Sequence, residues 1–312
     1  METRTLESPP GILPLYARAA APMVPGASLL PFVPGRGGEI PELELALSGV
    51  EADREQVAAY ARVCGFALRD RLPVTYPHVL AFPLQMAVMA DGDFPFGAVG
   101  LVHVENRIVQ QRPIGFDEEL TIKVKPTKLK PHSHGRTFSL QTRVLSGRRK
   151  VWESTSTILR RGSASADGAN SANRQERRGS LEVGAKFNAD AEANAEWKLG
   201  ADLGRRYGAV SGDRNPIHMH SLSAKMLGFP RAIAHGMWTK ARCLAALEGR
   251  LPDAFAVDVR FRKPILLPGR VEFLSNLEGE AIEFAVRDAK RGTPHLEGRV
   301  EPLEAKPNDG RK

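Results

Sequence analysis

Asp213, Asn215 and His218 stand close together in the stretch YGAVSGDRNPIHMHSLSAKMLGF, Tyr207 to Phe229. A carboxylate and an imidazole are side chains that take and give protons near neutral pH. Brought to one small volume, they could polarise a single water between them. The local residue types favour that convergence. Gly212 and Asp213 are turn formers, and Pro216 suits the first position of a helix. Asn215, just before it, is a good N-cap. The spacing predicts a helix from Pro216 to about Leu227, stopped by Gly228. His218 then sits in the first turn, facing back toward the loop that holds Asp213. The same residues also suit an ordinary turn and cap with a satisfied helix histidine, and the trio alone does not separate the two readings.

A second stretch, Arg231 to Arg242, reads RAIAHGMWTKAR. A helix is expected from Gly236 to Glu248, with Met237, Ala241, Leu244 and Ala245 on one apolar stripe and Gly249 as its stop. Glycine at a helix start lets a ligand approach the backbone. Its N–H is an unpaired donor at the positive end of the helix dipole. Such a donor suits an oxygen that gains negative charge during reaction. A tight strand-to-helix turn would use the same glycine.

Together these residues resemble the signature of the MaoC-like, or hydratase 2, family of (R)-specific enoyl-thioester hydratases. The pattern is an aromatic, a short apolar step, Ser-Gly-Asp-x-Asn-Pro-apolar-His, a small residue soon after, and then AHGMWT. The resemblance implies an α+β double hot-dog fold, with antiparallel sheets each wrapped around a central helix. It implies Asp213 and His218 as the catalytic pair, Asn215 as their orienting residue, and the Gly236 N–H as the donor to the thioester oxygen. The reaction implied is hydration of trans-2-enoyl thioesters, or dehydration of (R)-3-hydroxyacyl thioesters, in fatty-acid metabolism. Coenzyme A or acyl carrier protein is then the substrate carrier, and no other cofactor is needed. A hot-dog thioesterase and a non-catalytic acyl-thioester-binding subunit are the competing readings. The intact Asp213, Asn215 and His218 set argues against the second.

The elements that position these residues follow a repeated plan. Residues 1–44 read as an extension on the surface: Pro10, Pro14, Pro22 and Pro25 disfavour a helix, and Glu2 and Glu7 disfavour a signal peptide. Residues 45–161 form a first unit. Its helices are expected at Asp53–Cys64 and Val79–Ala90, and its strands at Gly100–Val109, Glu119–Lys128, Arg136–Ser146 and Lys150–Leu159. Residues 162–195, rich in Ala, Ser, Gly and Asn, read as a flexible linker. Residues 196–303 form a second unit, with helices at Trp197–Tyr207 and Gly236–Glu248. Its strands are expected at Phe255–Arg262, Arg270–Glu278, Ala281–Asp288 and Pro294–Pro302, and residues 304–312 are a tail. His78 matches His235, His103 matches Asp258, and Pro113 matches Pro268, all at nearly one spacing, which argues for duplication. The connection from Tyr60 to His78 is shorter than that from Tyr207 to His235 by about the loop and helix that carry Asp213 and His218. Val79 stands where Gly236 would be. One active site per chain is therefore expected, with the vacated first unit leaving room for an acyl tail.

Other residues weigh less. Arg260, Arg262 and Lys263 are candidate contacts for carrier phosphates. His220 is expected on the solvent side of a helix; His235 suits either a hydrogen bond to the active loop or a space-filling role, the latter slightly favoured. His132 and His134 are expected at an exposed turn. No metal-ligand spacing such as HExxH or CxxC occurs, and no metal is expected. The 312 residues carry a net charge of +8, but Lys and Arg are scattered and aromatics are only 6%. That excludes the basic and aromatic interleaving of a nucleic-acid surface and fits an anionic thioester carrier. Cys64 and Cys243 are expected as buried thiols of a cytoplasmic protein. No run is long and apolar enough to span a bilayer. Hot-dog sheets commonly pair as homodimers, although a duplicated chain already supplies that edge.

Overall fold

The computed structural model describes residues 2–20, 38–97, 100–162, 187 and 191–303. The strands are β1 (Glu2–Leu6), β2 (Leu43–Val50), β3 (Val102–Gln110), β4 (Leu120–Pro126), β5 (Lys130–His132), β6 (Gly135–Ser146), β7 (Arg149–Arg161), β8 (Ala195–Leu199), β9 (Phe255–Phe261), β10 (Gly269–Glu278), β11 (Ala281–Asp288) and β12 (Pro294–Pro302). The helices are α1 (Ile12–Ala20), α2 (Arg54–Cys64), α3 (Tyr76–Met89), α4 (Leu203–Ser211), α5 (Pro216–Met219), α6 (Ser221–Met226) and α7 (Gly236–Leu247).

The strands form one 12-stranded sheet in the order β1-β2-β4-β6-β7-β3-β9-β12-β11-β10-β8, with β5 on the side of β6. The order reads the same outward from the β3/β9 seam: each half runs through its own meander to its first strand. This is the double hot-dog expected from the duplication. At the seam β3 and β9 run antiparallel, with Asn106 opposite Val259 and Ile108 opposite Val257. Arg107 pairs with Asp258 across it.

Each half wraps a helix that is buried on nearly every side, as a central helix must be. In α3 the buried residues include Tyr76, Ala81, Phe82, Leu84, Met86 and Val88. In α7 they include Met237, Trp238, Ala241, Leu244 and Leu247. Lys240 of α7 is also fully buried. Its Nζ donates to Asn106 Oδ1 at 2.6 Å and to the carbonyls of Asn106 and Val257 at 3.1 Å each. One helix thus ties both strands of the seam, since a buried ammonium needs such acceptors. The flanking helices α2 and α4 meet across the same pseudo-twofold, with the rings of Tyr60 and Tyr207 6.1 Å apart. Cys64 and Cys243 are both free and buried.

Five local expectations are corrected. Trp197 lies in β8, not in a helix: Trp197 and Leu199 point inward while Glu196 and Lys198 point out, the period of a strand. A unit boundary drawn at 196 therefore cuts β8. The first unit opens earlier than expected, on β2 with its run of buried residues from Leu43 to Leu47. The central helix of that half begins at Tyr76 with Pro77 in its first turn, which leaves Pro83 inside it. The helix expected from Pro216 to Leu227 is broken at His220, whose backbone is extended (φ −146°, ψ 148°). Finally, residues 2–20 are not a mere surface extension. β1 pairs in parallel with β2, and α1 forms with Pro14 in its first turn, where a missing N–H costs nothing. Most of the expected linker, residues 163–186 and 188–190, lies outside the described residues, as do residues 21–37 and 304–312.

Candidate active site

The loop between α4 and α5 is shaped by close backbone contact. Gly204 of α4 faces the carbonyl of His218: a Cβ on Gly204 would lie 1.9 Å from that oxygen, so no side chain fits. The two helices therefore touch, and α4 hands the chain directly to the loop. Asn215 caps α5, with Oδ1 accepting from the Ile217 N–H at 3.4 Å. The Asn215 N–H in turn donates to Asp213 Oδ1 at 3.1 Å. This is an Asx turn, and it fixes the Asp213 side chain relative to the helix carrying His218.

His218 is buried in the first turn of α5. Its Nδ1 lies 2.8 Å from the Ile233 carbonyl. A carbonyl only accepts, so Nδ1 carries the proton and Nε2 is left with its lone pair. Burial draws the His218 pKa below its ordinary value, against the opposing pull of Asp213 and the Ile233 bond. His235 follows the same logic with the tautomer reversed. Its Nε2 donates to the Asp213 carbonyl at 3.0 Å, and its Nδ1 is buried without a partner among the described residues. The two imidazoles stack with centroids 3.7 Å apart. Burial, then His218, pulls the His235 pKa down to about 3. Of the two readings the sequence leaves for His235, the hydrogen bond to the active loop is the one observed, not the slightly favoured space-filling role.

Asp213 is half-buried. Burial pushes its pKa up, but the adjacent His235 and His218, the Asn215 N–H and Tyr16 together hold it below the usual value. Tyr16, from α1, donates its phenol proton to Asp213 Oδ1 at 3.1 Å. Sequence reasoning missed it, because nothing in its surroundings shares the spacing of the Asp213 stretch. Asp213, His218 and His235 place one donor atom each within 4.8 Å of one another. Three protein ligands are one fewer than the four of a structural zinc site. His220 is exposed and stands apart from this group.

Gly236 opens α7, with His235 as its N-cap. An N–H at the first helical position has no intrahelical acceptor. A Cβ on Gly236 would meet the Phe261 ring at 3.0–3.1 Å, so the ring is packed against bare backbone.

These groups line one cavity of about 190 Å³ that reaches into the first half of the chain. Its far wall includes Phe82, Met86 and Met89 of α3, Leu140 of β6 and Ile158 of β7. His78 and Gln85 interrupt that wall, joined at 3.4 Å. Burial lowers the His78 pKa to about 4. Arg262 and Lys263 lie at the cavity, Arg262 with its Nε 2.8 Å from Glu297. Arg260 does not join the lining; it pairs with Glu105 at 3.0 Å. Sequence grouped the three cations, but β9 ends at Phe261: Arg260 stays in the ladder opposite Glu105 of β3, while Arg262 and Lys263 lie beyond the strand.

Comparison with known proteins adds to this picture. A family model described as MaoC like domain matches residues 182–298. The chain is 37% identical over 278 residues to 3-hydroxyacyl-thioester dehydratase X of Mycobacterium tuberculosis, across 89% of this chain and 95% of the relative. The crystal structure of HtdX from Mycobacterium tuberculosis superposes with a TM-score of 0.72 at 33% identity, over 83% of this chain and 100% of that one. A MaoC-like dehydratase from Phytophthora capsici superposes with a TM-score of 0.67 at 19% identity, over 85% and 96% of the two chains, a likeness of fold alone.

Proposed function

This chain belongs to the MaoC-like dehydratase family, and from that membership and the cavity we propose that it is a hydro-lyase acting on acyl thioesters. It adds water to trans-2-enoyl thioesters and, in reverse, removes water from (R)-3-hydroxyacyl thioesters, with coenzyme A or acyl carrier protein as the carrier. The observation that carries this reading is the 2.8 Å contact of His218 Nδ1 with the Ile233 carbonyl. It supports a free Nε2 lone pair beside an ionised carboxylate.

In this mechanism Asp213 and His218 hold one water. The water oxygen bonds to the β-carbon while its proton passes to His218 Nε2. The electrons of the double bond move to the thioester oxygen, which accepts from the Gly236 N–H. The imidazolium then returns its proton to the α-carbon, so one water has been added and the enzyme is unchanged. Asp213 offsets the charge on His218 at the intermediate stage. Preorganised donors of the Gly236 kind are typically worth about 3–4 kcal/mol. Arg262 and Lys263 are proposed as contacts for carrier phosphates. No helix among the described residues is long and apolar enough to cross a membrane; the buried free thiols support placement in a reducing compartment such as the cytoplasm.

The experiment is incubation with crotonyl-CoA, following both the enoyl-thioester absorbance and the free thiol. Loss of absorbance without thiol release supports a hydratase. Thiol release at the same rate would instead indicate a hot-dog thioesterase.

A further inference from the structure

We propose that Tyr16, from the segment ahead of the first half, is a positioning residue for Asp213: its phenol occupies one carboxylate oxygen and leaves the other for the reacting water. This rests on the reading of Asp213 as catalytic.

The direction of the hydrogen bonds is fixed by their partners. The Arg214 amide lies 2.6 Å from the Tyr16 oxygen, and an amide N–H only donates. The phenol oxygen therefore accepts there, and its single proton turns to Asp213 Oδ1, 3.1 Å away. Oδ1 also accepts from the Asn215 N–H at 3.1 Å, so two donors share one oxygen. Oδ2 lies 3.9 Å from His235 Nε2, too far for a hydrogen bond, and stays available. The charged and titratable groups that bear on this contact are Asp213 and Arg214 on the Tyr16 phenol, and His218 and His235 on Asp213. Burial and the Asp213 charge push the phenol pKa far upward, so Tyr16 keeps its proton across the working range.

The helix that delivers the phenol is anchored on both sides. Leu15 is 7% exposed and belongs to the main core. Ile12 Cδ1 sits 2.6 Å from where a Cβ on Gly212 would lie, at the base of the Asp213 loop. Tyr16 is itself part of the cavity wall. A residue nearly two hundred positions earlier thus completes the hydrogen bonding of the proposed base pair. A donor to the ionised carboxylate favours that form, and it also stops the side chain from turning Oδ2 away.

The test compares full-length wild type, Tyr16→Phe, Tyr16→Ala and Asp213→Asn on crotonyl-CoA, with kcat and KM measured against pH and thermal unfolding as a control. Tyr16→Phe is expected to unfold with wild type, to lose about tenfold to a hundredfold in kcat at similar KM, and to shift the acid limb upward. Tyr16→Phe that restores everything Tyr16→Ala loses, beside an Asp213→Asn enzyme that is slow, overturns the role of the hydroxyl and leaves Asp213 in place. Wild-type rate in Asp213→Asn overturns the role of Asp213, and that of Tyr16 with it.

Discussion

His235 lies against His218, ring on ring, with centroids 3.7 Å apart and planes 26° from parallel. Each ring spends one N–H on a backbone carbonyl: His218 on Ile233, His235 on Asp213. Two stacked imidazoles cannot both be charged at little cost, and here burial keeps both below their ordinary pKa. Burial therefore keeps His218 neutral, and the hydrogen bond from His235 fixes the backbone that carries Asp213.

The pH dependence follows from that relationship. On the proposed mechanism the active form has His218 neutral and Asp213 ionised, so activity is expected above both pKa values and to fall as protons bind. Burial lowers the His218 pKa from 6.5, and Asp213 lies below 3.8. The acid limb of kcat/KM, which reports the free enzyme, is expected below pH 6.5, with a plateau through neutrality. A limb centred above 6.5 would contradict the neutral, buried base.

Gly236→Ala tests the backbone donor. Alanine keeps the N–H, but its Cβ would meet the Phe261 ring at 3.0–3.1 Å, which displaces either the ring or the helix start. A loss of about tenfold to a hundredfold in kcat is expected, on the scale of a misplaced oxyanion donor. Adding Phe261→Leu should return part of it, because the leucine yields where the ring does not. Equal rates in Gly236→Ala and wild type would show that the helix start plays no part.

An acyl tail lying along the apolar wall of the first half, as the proposed function implies, makes that wall the determinant of acyl length. Ile158 faces the cavity opposite the Asp213 loop and is only partly buried. Ile158→Trp should keep activity on crotonyl-CoA and lose it on trans-2-decenoyl-CoA, read as the ratio of the two kcat/KM values. A wild-type enzyme that already fails beyond short chains would sink the idea that this wall receives the tail.

Much of this was legible in the sequence because the informative residues cluster. Ala281–Asp288 and Pro294–Pro302 were read with their observed limits, since turn residues bracket alternating runs. Asp213, Asn215, His218 and Gly236 stand out together through the resemblance to the MaoC-like family, since their caps and turns alone fit an ordinary helix start equally well. What escaped depended on contacts distant in sequence. Trp197 pairs with Val271 in the sheet, but EWKL is too short to separate a strand from a helix by period. The break at His220 has no proline or glycine to mark it. Tyr16 lies in a proline-rich segment whose order comes from packing on the core, and no local pattern announces a phenol aimed at Asp213. Arg260 and Arg262 are alike in type, but only Arg260 lies inside β9, where the register with β3 sets it against Glu105.

The most direct measurement is the hydration rate of crotonyl-CoA by Asp213→Asn beside wild type, with both shown to be folded by their unfolding temperatures. Asparagine keeps the shape and the Asn215 contact but cannot carry the charge. A fall in kcat of about a hundredfold or more with little change in KM is expected. A folded Asp213→Asn enzyme that works at the wild-type rate would contradict a water held between Asp213 and His218.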